Sequence, residues 1–389
     1  MNESPNAQIE WPRPLLGVLA VLAMTGAVAF IVGATGGAAQ RAWQIYLVNY
    51  VFWTGIAVAG VVLTAIWHIT SSIWGKAYQG LAVAGAGFFP AALVLFLPLT
   101  LAGATLFPWV ERTTPHREVW LDPTFVFARN GLALAALFAL AWAFVRLRLR
   151  AASPASGGAS EETQRRLSRL APVLCVVYAL VLSLVAFDLI MPLDPHFIST
   201  LFGGYYFFGS LYAGLAWLAV LAVLLLRGEA TRGLLAPRFL HPMGKLLFGF
   251  CMFHGMLFFS QYLPIWYGNL PEETEFVVRR SHEAPWPWFS LALLMLSLLL
   301  PFVILISRPV KIHPRGLAAA AGIVLVGMWL DKYLLIVPSI WHQHEAPLGL
   351  LELAVTAGFA SLMLLSYWAF SRRFPLVHYS AADIQSPTH

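Results

Sequence analysis

Charged side chains are scarce in this sequence: Asp, Glu, Lys and Arg together make up 11% of 389 residues, against 59% hydrophobic. A soluble chain of that length needs far more polar surface to cover its core. Cysteine is scarcer still. Only Cys175 and Cys251 occur, both inside apolar runs, which leaves no disulfide framework and no CxxC metal site. There is no phosphate-binding P-loop, no GxGxxG turn, no nucleophile elbow, and no convincing repeat between the two halves. Two histidines facing each other at one depth in the membrane, as a b-type haem requires, are also missing. His342 and His344 in WHQHE are too isolated to argue for a metal site. Neither haem nor metal is expected in this chain. The net charge of +6 reads as membrane topology, not as a nucleic-acid surface.

What is present is apolar length. Mean hydropathy is +0.74, and most helical stretches are apolar on nearly every face, which places lipid outside and protein inside. The expected fold is an all-α polytopic membrane protein forming one membrane domain over 1–389. At about 20 residues per crossing, ten spans are predicted near 15–36, 44–69, 82–106, 124–147, 170–191, 200–226, 244–267, 286–307, 317–338 and 348–371. The first, from Leu15 to Val32, is long enough to span and does not resemble a cleaved signal. Residues 146–170, RLRLRAASPASGGASEETQRRLSRL, read as a flexible basic linker. The positive-inside rule puts this linker and both termini in the cytoplasm, leaving only Arg41, Arg112, Arg117, Arg129, Arg279, Arg280 and Lys332 outside or near the outer end.

Residues 258–273, FFSQYLPIWYGNLPEE, then form the outward end of the seventh span. Trp266 and Tyr267 suit the headgroup level, Gly268-Asn269 can end the helix, and Pro271 is expected to prevent it resuming. Ser260 and Gln261 are not explained by a membrane boundary and are expected to face the bundle interior. An ionisable or strongly polar group inside a span is costly, and is by default a functional candidate. His254 lies seven residues before Gln261, two turns away on the same face, so His254, Gln261 and Ser260 are candidates for a quinone head group. Asp188 in FDLIMPLDPHFIST and Asp331 in WLDKYLLIVP are candidate proton carriers, or partners of nearby cations. Arg129 is such a partner, and Lys332 is a second one that can also snorkel outward. His68, at the inner end of the second span, and Glu352, at the outer start of the tenth, complete the proton-route candidates, although an interfacial position also explains both.

Taken together, FFSQYLPIWYGNLPEE, FDLIMPLDPHFISTLFGGYYFFGSLYAG and WLDKYLLIVP resemble the membrane subunits of alternative complex III, within the NrfD/polysulfide-reductase membrane-subunit group. The resemblance runs from about Tyr46 to Pro338, and YLVNYVFWTGIAVAGVVLTAIWHIT is more similar to the smaller (ActF-like) of the two such subunits. It implies that the central eight spans form two four-helix bundles, 44–191 and 200–338, flanked by 15–36 and 348–371. It also implies a bacterial inner-membrane quinol:cytochrome c oxidoreductase, with menaquinone or ubiquinone as the quinone. The implied partners are a larger NrfD-like sister subunit, an iron–sulfur protein, multihaem cytochrome c subunits and membrane lipid. In that family the larger subunit holds the quinol and the smaller offers a proton route, to which Asp188, His254, Gln261 and Asp331 correspond by motif. A quinol-oxidising anchor of a molybdopterin-type reductase, a secondary transporter and a purely structural subunit are the other readings of the same residues.

Overall fold

The computed structural model describes residues 11–111, 118–151, 160–228 and 231–377. Among them are ten helices long and apolar enough to cross a membrane. They are α1 (Arg13–Thr35), α2 (Ala39–Ile69), α3 (Gln79–Leu101), α4 (Pro123–Ala151), α5 (Glu161–Leu193), α6 (Phe202–Leu225), α7 (Pro237–Gly268), α9 (Trp286–Ile306), α11 (Pro314–Ile340) and α12 (Leu350–Ser371). Two shorter helices lie between spans: α8 (Pro271–His282) and α10 (Arg308–Ile312). No strand occurs among the described residues. The chain is an all-α polytopic membrane protein. Its spans alternate in direction, so one end of the bundle carries the start of α1 and the close of α12. That end is called the terminal face, and the opposite one the distal face.

Two local expectations are corrected. The stretch 146–170 is helical on both flanks, because α4 continues to Ala151 and α5 already begins at Glu161. The early start has a local cause. Ser160 Oγ caps the amide of Thr163 at 3.2 Å, and Glu161 and Glu162 favour the positive end of the helix dipole. The same two acids reach Arg165 and Arg166 one turn on, at 3.1 and 2.7 Å. Residues 152–159 of the expected linker lie outside the described residues. At the other correction, α7 does end at Gly268 with Asn269 left-handed (φ 46°), but Pro271 does not stop the chain from re-forming helix. It occupies the first turn of α8, where proline's missing N–H costs nothing.

Helices α2 and α6 form the centre. In α2, 94% of the most apolar window is buried, against 11% in α1, so α2 is protein-facing all round and α1 largely lipid-facing. Helix α2 packs on α3, α4, α5, α6 and α11, α4 packs on α3 and α5, α5 also packs on α6, and α11 packs on α6, α7 and α9. Helices α1 and α12 pair on the outside of α2 and α3. Their crossing is close because Gly26 faces Gly358, where an added Cβ on Gly26 would meet the Gly358 Cα at 2.6 Å. Asn49 ties the centre to that pair. Its Nδ2 donates to Thr356 Oγ1 at 3.0 Å, and its Oδ1 accepts from Trp329 Nε1 at 3.1 Å.

Candidate functional site: a cavity beneath α8

Prolines in two spans set the local geometry. In α11, Pro338 has no N–H, which leaves the Leu334 carbonyl without its helical donor. Arg280 of α8 supplies one: its Nε donates to Leu334 O at 2.8 Å, and its Nη2 to Ser339 Oγ at 2.7 Å. The guanidinium lies 3.4 Å over the Phe276 ring. Burial lowers the Arg280 pKa to about 9, with the Asp194 carboxylate pulling the other way, so the side chain remains charged at neutral pH. In α9, Pro301 frees the Ser297 carbonyl in the same way, next to a wide π-turn at Met295–Leu299. Tyr212 of α6 donates its hydroxyl to that carbonyl at 3.1 Å.

Between these two repairs lies a cavity of about 250 Å³, enclosed by α6, α7, α9 and α11 under α8, in the distal part of the bundle. Its wall is mostly apolar, with Phe197, Phe202, Phe258, Ile265, Leu293 and Leu298 among the lining residues. The polar groups are few: Tyr205, His254, Gln261, Arg280, Ser281, Ser290, Ser297 and Asp331. Phe258 of α7 and Leu294 of α9 line the cavity and are 46% and 38% exposed.

His254 is buried, its ring stacked on Tyr205 at 4.6 Å and 25°. Its Nδ1 has no hydrogen-bond partner. The ring also rests on Gly209, where an added Cβ would lie 3.2 Å from Cε1 and 3.5 Å from Nδ1. Tyr205 in turn donates its hydroxyl to Asp331 Oδ1, while Lys332 Nζ reaches Asp331 Oδ2 at 2.8 Å. Lys332 does not snorkel. Its side chain is 2% exposed, with Nζ 4.8 Å over the Tyr206 ring. The adjacent residues pair despite their 100° offset because a carboxylate buried at 1% exposure needs a counter-charge more than the lysine needs water.

Gln261 stands on the His254 side of α7, lines the cavity, and accepts from Ser199 Oγ at 3.2 Å. Ser260 is corrected. One residue earlier means a turn of 100° about the helix axis, and Ser260 is exposed on the outer side of α7, away from the cavity.

The other sequence candidates lie apart from this cavity. Asp188 is fully buried at the distal ends of α4 and α5, where both its oxygens are taken. Arg129 donates to them at 2.7 and 2.6 Å, Asn130 Nδ2 at 2.6 Å, and Trp120 Nε1 at 3.1 Å. Glu352 is buried against Arg41 of α2 through two contacts of 2.9 and 2.8 Å, and accepts from the Gly349 amide at 2.7 Å. His68 is half-buried at the terminal face, 3.2 Å from Ser168 Oγ and 3.5 Å from Arg148. Of the candidates, His254, Gln261 and Asp331 come together; Asp188, Glu352 and His68 are each elsewhere.

Sequence reasoning missed Tyr205 and Arg280. The signal for Arg280 was present: an arginine pair on a short amphipathic segment, with a proline-freed carbonyl in a neighbouring span. Among the described residues no three His, Cys, Asp or Glu side chains converge as a metal site. The arrangement presents a mostly apolar, ring-lined space with a buried imidazole on one wall and a tyrosine–carboxylate–lysine chain beside it, which suits a flat, mostly apolar ligand with polar edges. Searches of protein-family models and of curated proteins match this chain to none of them.

Proposed function

We propose that the chain is a membrane subunit of a quinol-oxidising complex of the alternative complex III type, and that the cavity beneath α8 receives a quinone head group. The observation that carries this reading is His254, a buried histidine that lines a mostly apolar cavity beside Tyr205, Gln261 and Asp331. A ligand hydroxyl or carbonyl edge bound at the cavity side of the imidazole gains a hydrogen bond worth about 0.5–1.5 kcal/mol net. The volume supports a ring and not a whole lipid. About 250 Å³ falls below the roughly 300–1,000 Å³ usual for drug-sized ligands, so on this reading a prenyl tail leaves between α7 and α9, past Phe258 and Leu294.

A quinol supplies two electrons and two protons at its ring hydroxyls. On this reading His254 holds one ring oxygen, Gln261 orients the ring from the distal side, and the Tyr205–Asp331–Lys332 chain takes a proton from the His254 wall. Electrons leave through an iron–sulfur protein and multihaem cytochrome c subunits docked on the distal face, beside a larger sister subunit. Both termini lie in the cytoplasm of a bacterial cell and the cavity near the outer surface. The test is titration of a short-chain quinone analogue into the purified chain in nanodiscs. Binding should be lost in His254→Ala and kept in Ser260→Ala; equal binding in wild type and His254→Ala places the head group outside this chain.

A further inference from the structure

The terminal face carries a feature that quinone chemistry does not use. In α7, Arg238, His241 and Lys245 follow one another at three- and four-residue spacing, which puts them on one face of the helix. Helix α10 packs against that start of α7 and brings Arg308 and Lys311 with it. The lysine is held in place: its stem lies on Gly244, where an added Cβ would meet Lys311 Cγ at 2.7 Å, and its Nζ sits 5.7 Å over the Phe248 ring. Gly244 comes three residues after His241 and one before Lys245, so the Lys311 contact sets α10 beside that stretch of α7. Neither 237–245 nor 308–315 contains an Asp or Glu. Lys245, Arg308 and Lys311 join none of the ion pairs seen among the described residues. Membrane orientation asks only for cations on one side; it does not ask them to sit on two packed helices against their mutual repulsion.

The surface continues from this cluster into the membrane as exposed apolar side chains of α7 and α9, namely Met252, Phe253, Val303 and Ile306. Phe248 and Phe302 stack between them at 5.5 Å. Cations at the membrane boundary above an apolar groove between two spans fit a phosphate-bearing head group with acyl chains below it. We propose that the terminal ends of α7, α9 and α10 form a binding site for one anionic phospholipid, with its phosphate among His241, Lys245, Arg308 and Lys311 and its acyl chains along α7 and α9. Three permanent cations exceed the charge of a single phosphate, so a two-phosphate head group binds more tightly than a one-phosphate one. The site is independent of the cavity at the distal face.

The test uses the whole chain in phosphatidylcholine nanodiscs, with cardiolipin or phosphatidylglycerol added in steps. The readouts are the melting midpoint and lipid retained in native mass spectrometry. Wild type should retain one anionic lipid and rise in midpoint, cardiolipin acting at the lower mole fraction. Lys245→Gln/Lys311→Gln should bind about 30-fold more weakly, taking about 1 kcal/mol for each cation removed. Arg165→Gln/Arg166→Gln, which removes two exposed cations paired on α5, should bind as wild type. Lys245→Gln alone alters only an exposed side chain and should show about a fifth of wild-type affinity. Three results overturn the proposal: retention unchanged in the double variant, equal loss in the α5 control, or the same midpoint rise from inorganic phosphate, which marks a free-anion site.

Discussion

Arg280 donates to the carbonyl of Leu334, the group that Pro338 leaves without a helical donor, at 2.8 Å. A helix outside the spans is thereby fastened to a break within one, and it closes the cavity from above. The same side chain anchors Ser339 at 2.7 Å and stacks on Phe276, so α8 cannot lift without exposing several unsatisfied groups.

Arg280→Ala leaves the Leu334 carbonyl buried and unpaired, a cost of about 1–3 kcal/mol. Arg280→Lys keeps the charge but cannot reproduce the planar fork and should recover only part of the loss. Hydrogen exchange is the direct readout. Amides of Pro271–His282 should exchange faster in both variants, more so in the alanine one, with the remaining spans unaffected. Unchanged exchange in α8 would mean that the Phe197–Phe276 stack, at 3.9 Å, holds it without the arginine.

Asp188 behaves as a structural carboxylate. Four donors from Arg129, Asn130 and Trp120 saturate it, and it does not line the cavity beneath α8. Asp188→Asn strands the Arg129 guanidinium, whose side chain is only 12% exposed, and removal of one partner from a buried pair costs about 3–5 kcal/mol. The expected result is a large drop in melting midpoint and in yield. Arg129→Met/Asp188→Asn should recover most of it, since a buried pair replaced as a unit is often neutral. A stable single variant would show that water reaches the pair.

The spans were legible because twenty-residue apolar runs have one solution in lipid, and all ten appear within a few residues of their expected ends at most boundaries. The exceptions have local chemistry behind them. Residues 161–169 looked like linker by charge, yet the Ser160 cap and two i,i+4 pairs make them helix. Pro271 looked like a stop and is a start, because in the first turn of a helix its missing N–H leaves no bond unmade. Of the site, the His254–Gln261 face was readable from a seven-residue spacing. Its partners were not: Tyr205 and Asp331 are 126 positions apart, and nothing in either segment fixes which helix faces which. Ser260 shows the limit within one helix, where a single residue changes the facing surface.

Gly209 tests the seat of His254 without altering a polar side chain. A Cβ there lies 3.1 Å from Met328 Cε and 3.2 Å from His254 Cε1, so one of them must move by a few tenths of an ångström. Methionine adapts easily, which keeps the cost to the fold small, and the imidazole shifts with it. Gly209→Ala should melt near wild type and bind a short-chain quinone analogue about tenfold more weakly, about 1.4 kcal/mol. Unchanged binding would detach His254 from ligand contact.

Asp331 requires a comparison of single and double variants, because its two oxygens serve different neighbours. Asp331→Asn can still accept from the Tyr205 hydroxyl but leaves Lys332 charged and buried without a counter-ion. It should therefore lose stability whether or not Asp331 handles protons. Lys332→Met has the converse fault, a buried carboxylate held by one tyrosine. The double variant Asp331→Asn/Lys332→Met removes both charges together and should return to near wild-type melting. Proton transfer is then separable from folding. If Asp331 accepts the proton released beside His254, the stable double variant reconstituted with its partner proteins should fall at least about tenfold in quinol turnover, in line with loss of a positioned proton acceptor. Tyr205→Phe should fall less, because it removes the relay hydroxyl and keeps the carboxylate. Normal turnover in the stable double variant would make the Asp331–Lys332 pair a structural rivet like Asp188–Arg129, and the proton would have to leave along the His254–Gln261 face of α7.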